Sequence, residues 1–179
     1  MLDPAIGYII VLSVAALLSF AAVHKLIAWR EFIEALHAYR LLPQTAVRPA
    51  SLMLPLGELA TAFALFVSAE RRYACSAAAA IMLVYAAAIA LNLARGRRDL
   101  ECGCGFARHR RPIAAWMLLR NGVIAVAALI AALPWTTRPL GTIDVLTIVA
   151  AAVAVALFYA SIDVLFGQVV PYAAIARAK

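Results

Sequence analysis

An all-α membrane protein is what this sequence predicts: a compact bundle of about five transmembrane helices with a short interfacial helix after the first span. Three observations lead there. The 179 residues are 66% hydrophobic, with a mean hydropathy of +0.95. Only 14% are charged, against about 25% in soluble domains. Apolar runs of about 20 residues, the length that crosses a hydrocarbon core, recur along the whole chain. A soluble core could not bury this much apolar surface, so residues 1–179 read as a single integral membrane domain. The formal net charge of +7 then belongs to loops and anionic headgroups. The lipid bilayer is the expected partner, and nucleic acid is not.

The first span is expected at about 6–28. Met1-Leu2-Asp3-Pro4 supplies no basic run before it, so it is expected as a retained helix and not a cleaved signal peptide. Residues 29–41 follow, with apolar side chains at Trp29, Phe32, Ile33, Leu36 and Tyr39 and charges between them. That helical stripe predicts a short helix lying on the membrane surface. The remaining spans are expected at about 50–69, 74–94, 113–133 and 143–166. Pro49 precedes the second, Pro112 suits the first turn of the fourth, and Pro134 ends it. Alanine runs such as Ala77 to Ala80 and Ala86 to Ala88 let helix backbones approach closely in lipid.

Basic residues set the sidedness. Lys25, Arg30, Arg40, Arg48, six arginines between Arg95 and Arg111, Arg177 and Lys179 fall on one side; Arg71, Arg72 and Arg138 fall on the other. The bias predicts a multi-pass membrane protein with its N-terminus outside and its C-terminus inside.

A charge near the bilayer centre costs about 2.5–3.5 kcal/mol and so asks for a partner. Glu58 in the second span and Arg120 in the fourth carry opposite charge at matching depth, roughly 10–14 Å from the same face. A Glu58–Arg120 ion pair is therefore expected. His24, Lys25, Asn92, Asn121 and Asp163 fall near that face as well, with snorkelling an equal reading for Lys25 and Asp163. His24, Lys25, Glu58, Arg120 and Asn121 form the candidate supporting polar site.

The chemistry-bearing candidate is Cys102-Gly103-Cys104, in the most basic loop. Gly103 permits the tight backbone of a Cys-X-Cys bridge. Nearby arginines and His109 would favour a thiolate, and a strained bridge suits exchange better than permanence. Thiol–disulfide oxidoreduction by Cys102 and Cys104 is one reading. A soft-metal site for zinc or copper with His109 is a second, short of the four ligands of a closed zinc site. A glycine turn with inert small residues is the third. Cys75 opens the third span at the opposite face and is expected to be inert. No quinone or haem motif is visible, and no metal or cofactor is assigned.

The run from Asn92 through Cys102-Gly103-Cys104-Gly105-Phe106, together with Arg120-Asn121, Lys25, Phe32, Tyr39, Leu42-Pro43 and Glu58, resembles the MauE family of methylamine utilisation proteins, within the broader DoxX-like membrane proteins. The family order after the second cysteine is Phe-Gly, here reversed as Gly105-Phe106. The resemblance implies a role in maturing an exported, disulfide-containing client, the methylamine dehydrogenase small subunit. It also implies a thioredoxin-like companion of the MauD type. The client's disulfides form outside the cytoplasm, whereas the charge bias places Cys102 and Cys104 inside. A membrane subunit that only binds or stabilises a partner is the alternative of a different class, and soft-metal handling is another.

Overall fold

The computed structural model describes residues 1–67, 71–97, 100 and 113–176, with side chains through Leu165. Among the described residues the helices are α1 (Pro4–Ile27), α2 (Trp29–Tyr39), α3 (Gln44–Val67), α4 (Arg71–Ala94), α5 (Ala115–Ala131) and α6 (Thr142–Ala176). α1, α3, α4 and α6 are long and apolar enough to cross a membrane, and α5 is a shorter apolar helix of 17 residues. At 1.5 Å per residue α5 spans roughly 25 Å, near the lower limit for crossing.

Neighbouring pairs close a ring. α1 packs on α3, α3 on α4, α4 on α5, and α5 back on α1. The core of this ring is small: Ala15, Ala22, Ala62, Ala74, Ala78, Ala79, Ala125, Ala128 and Ala131 are all buried. Alanine faces let the helix axes draw together, which is how dispersion holds a bundle whose surroundings are as apolar as its core. α6 lies outside the ring against α1. Only 6% of its spanning window is buried, against 28–33% for α1, α3 and α4, so it is a peripheral helix facing lipid.

Two boundaries differ from those expected. α3 begins at Gln44, with Pro49 and Pro55 inside it, where Pro49 was expected just before a span. Membrane helices tolerate proline because neighbouring groups take up the freed carbonyl. α6 runs 35 residues, roughly 52 Å, and continues ten residues beyond the expected end at 166. Pro112 lies outside the described residues.

The end of the bundle carrying the N-terminus is clasped by the α5–α6 connection. Leu2 N–H donates to the Pro134 carbonyl at 2.9 Å, and Thr136 N–H donates to the Leu2 carbonyl at 2.8 Å. Trp135 packs edge-on against Tyr8 at 5.0 Å, and the Arg71 guanidinium sits 3.2 Å above its ring. Arg138 donates to both Asp3 and Asp144. Hydrogen bonds from Arg138 and from the Ala5 N–H hold the Asp3 carboxyl below its ordinary range; Asp144 and Asp3 raise that of Arg138.

Gly7 meets the Trp135 ring directly, and a Cβ built there would overlap it. Gly57 in α3 has open space around the same position. Gly7→Ala is therefore expected to lower stability by about 1–3 kcal/mol through overpacking, while Gly57→Ala raises it by about 0.5–1 kcal/mol through helix propensity. Thermal unfolding of the two proteins in detergent checks the sign of each.

Candidate functional site

The opposite end of the bundle is where the polar groups gather. After Ile27 the chain turns through Ala28 into α2. α2 packs on α3 and α1, and Phe32, Leu36 and Tyr39 face a cavity inside the bundle. The stripe expected on a surface helix thus covers the bundle's own interior. Arg40 closes α2 in the left-handed conformation (φ 51°). Arg97, just past α4, donates to the α2 carbonyls of Ala38 at 2.7 Å and Tyr39 at 3.4 Å, and to Asn92 Oδ1 at 3.3 Å. A cation on the last carbonyls satisfies groups the helix cannot satisfy and suits the negative end of its dipole.

Under this cover lies a fully buried ion pair. Lys25 of α1 donates from Nζ to Glu58 Oε1 of α3, and both side chains are 0% exposed. Tyr85 of α4 completes the cluster: its hydroxyl donates to Glu58 Oε1 at 2.7 Å and accepts from Lys25 Nζ at 3.2 Å. The ammonium also lies over the Tyr85 and Phe32 rings, at 4.6 and 5.7 Å. Glu58 Oε2 is buried and has no hydrogen-bond partner among the described residues. A second pair ties the peripheral helix in: Arg120 Nη1 of α5 donates to Asp163 Oδ1 of α6 at 2.9 Å. Trp116 and Tyr159 present rings to that guanidinium, at 5.0 and 5.4 Å.

These partners correct the expected Glu58–Arg120 pair: Glu58 takes Lys25 and Tyr85, and Arg120 takes Asp163. Lys25 does not snorkel, because α2 folds over the end of α1, and Asp163 is held in by Arg120. Tyr85 was missed by sequence reasoning. Its signal was there, since Tyr85, Ile89 and Asn92 mark one face of α4 at i, i+4 and i+7. Asn121 is buried on α5 and lines the same cavity as Lys25, Glu58, Tyr85 and Arg120. His24 stacks on Phe20 with ring centroids 6.4 Å apart, and its Nδ1 is buried with no hydrogen-bond partner among the described residues. The cavity has a volume of about 1030 Å³ and mostly apolar walls.

Cys102, Cys104 and His109 lie outside the described residues. The two flanks of their segment are described, and they meet: Ile113 N–H donates to the Leu100 carbonyl at 2.9 Å. Ile89, Ile113 and Met117 form a buried cluster here, with Tyr39, Leu93, Leu100 and Trp116 packed against it. Tyr39 and Ile89 also line the cavity, so the anchor of residues 101–112 shares its walls. Cys75 is a free, buried thiol in the first turns of α4, at the other end of the bundle.

The profile of the family described as methylamine utilisation protein MauE matches residues 3–134. The chain belongs to the MauE family. The match takes in α1 to α5, the whole four-helix ring with its covering helix. Methylamine utilization protein MauE of Methylophilus methylotrophus is 36% identical over 171 residues, covering 92% of this chain and 88% of that protein. MauE of Paracoccus versutus is also 36% identical, over 166 residues, covering 92% and 89%. MauE of Paracoccus denitrificans is 36% identical over 129 residues, covering 72% and 69%. No solved structure matches the chain. The MauE family is involved in methylamine utilisation, and the apolar helices make this member a multi-pass membrane protein.

Proposed function

We propose that this chain assists the maturation of an exported, disulfide-containing protein of the methylamine system, by thiol–disulfide exchange at Cys102 and Cys104 with a thioredoxin-like partner. The observation that carries the reading is the anchoring of the cysteine segment. Leu100, two residues before Cys102, is bonded to Ile113 and packed on the α4–α5 end of the bundle. Flanks fixed on the bundle suit passing a bond between two docked proteins, because attack on a disulfide needs access and a defined approach. Membership of the MauE family supports the methylamine system as the setting. The client named by the resemblance, methylamine dehydrogenase small subunit, and a MauD-type companion are parts of the same proposal.

The charge bias supports a cytoplasmic side for the α2 end and for Cys102 and Cys104. Lys25 leaves that count, being buried with Glu58, and the excess of arginine on that side survives its removal. Maleimide labelling of a Cys75→Ser protein tests chemistry and sidedness together. Labelling is expected only after reduction, and in inverted vesicles rather than intact cells. Labelling of both thiols without reduction, on either side, would contradict a redox-active pair.

A further inference from the structure

We propose that the cavity under α2 holds an acyl chain of an anionic phospholipid, whose phosphate is bound by Arg40 and Arg48 at the corner between α2 and α3. The walls decide the tail. Leu36, Leu42, Met53, Leu54, Val84 and Ala88 are among the lining residues, and their side chains offer no hydrogen bond. A void of about 1030 Å³ with such walls leaves its lining without dispersion partners, and apolar cavities do not draw in water. Met53 is 70% exposed and Val84 59%, and both stand on helices long and apolar enough to cross a membrane. The cavity is thus reached from the hydrocarbon, whose own chains are the apolar molecules at hand. Ile9 and Lys25 both line it, roughly 24 Å apart along α1, which exceeds the roughly 15 Å depth of one leaflet. A tail therefore fits at full length.

The rim decides the headgroup. Arg40 closes α2 and is followed directly by Leu41 and Leu42, which line the cavity. Arg48 stands on α3 just before Ala50 and Met53, which line it too. Both arginines are exposed, and neither guanidinium has a hydrogen bond or ion pair among the described residues. The guanidinium fork matches the oxygens of a phosphate. Two such groups beside an apolar opening suit a molecule that carries a phosphate and a hydrocarbon chain together. A headgroup of net negative charge is preferred to a zwitterionic one, because a choline would bring a third cation to the two already there.

The proposal does not depend on the cysteines, and a Cys102→Ser, Cys104→Ser protein is expected to bind equally well. In the test the full chain, delipidated in a neutral detergent, is titrated with dioleoyl phosphatidylglycerol or dioleoyl phosphatidylcholine. Bound lipid is counted by native mass spectrometry. The wild type is expected to hold the glycerol lipid about 25-fold more tightly, about fivefold for each arginine. Arg40→Gln with Arg48→Gln should bring the two lipids level. Ala88→Phe narrows the cavity and leaves both arginines, and should weaken both lipids about tenfold. A phosphatidylglycerol with a diazirine midway along one tail locates the chain in the wild type, with crosslinks expected at Leu36, Leu54 and Ala88. Equal affinity for the two lipids, a preference that survives loss of both arginines, or undiminished binding by Ala88→Phe overturns the proposal. Crosslinks confined to outward residues such as Leu119 and Val126, which are 71% and 56% exposed, overturn it as well. Should Ala88→Phe fail to fold, the crosslinks decide where the tail lies.

Discussion

Replacing Lys25 with Met is expected to cost about 3–5 kcal/mol of stability, and replacing Glu58 with Met a similar amount, because each leaves an unpartnered charge in a dry interior. Both side chains are fully buried, and they bridge α1 and α3. The double replacement removes both charges and should recover most of the loss, since two apolar groups of similar length need no partner. Tyr85→Phe removes one donor to Glu58 and should cost about 1–3 kcal/mol. The folded fraction surviving a heat step in detergent, read by size exclusion, ranks the four proteins. Strictly additive losses in the double variant would show that the two side chains do not act as a pair.

Cys102→Ser, Cys104→Ser and the double change are expected to abolish client maturation to the same extent under the proposed role. An exchange needs one thiol to attack and the other to resolve, so loss of either member is loss of the unit. Cys75→Ser should be close to neutral, because that thiol is buried at the far end of the bundle. The readout is the amount of oxidised, exported client in cells making equal amounts of each variant. Full maturation in the double variant would remove the redox role and leave the binding-subunit alternative. Maturation that tracks added zinc or copper, with metal held by the purified protein through these thiols, would point to the soft-metal reading instead.

Hydropathy made the bundle legible from the sequence. α1, α4 and the spanning part of α6 stand close to the expected residues, and α2 stands at Trp29–Tyr39 within the expected 29–41. The start of α3 was obscured because Pro49 reads as a boundary in water, whereas a membrane helix carries it. Depth was legible too, and it brought Lys25, Glu58, Asn92, Arg120, Asn121 and Asp163 to one end of the bundle. Direction around the bundle was not. Hydropathy gives position along the membrane normal, while partner choice follows from which helices touch. α1 against α3 sets Lys25 beside Glu58, and α6, packed on α1, brings Asp163 to Arg120. Arg97 shows a similar limit. It reads as one more loop charge, and only its bonds to the Ala38 and Tyr39 carbonyls reveal it as the cap of α2.

The clasp at the N-terminal end bears on the order in which the protein assembles. Leu2 and Thr136, which meet there, are separated by 134 residues. At a synthesis rate of roughly 5–20 residues per second, the partner of Leu2 emerges about 7–27 s after it. Through that interval α1 has α3 as its neighbour, with α4 packed on α3, and the face around Gly7 stays open to lipid until Trp135 arrives. The ring is therefore closed late, by a contact of long range that costs chain entropy to bring together. A nascent chain halted after α4 holds the Lys25–Glu58–Tyr85 cluster complete, and its opposite end unsealed.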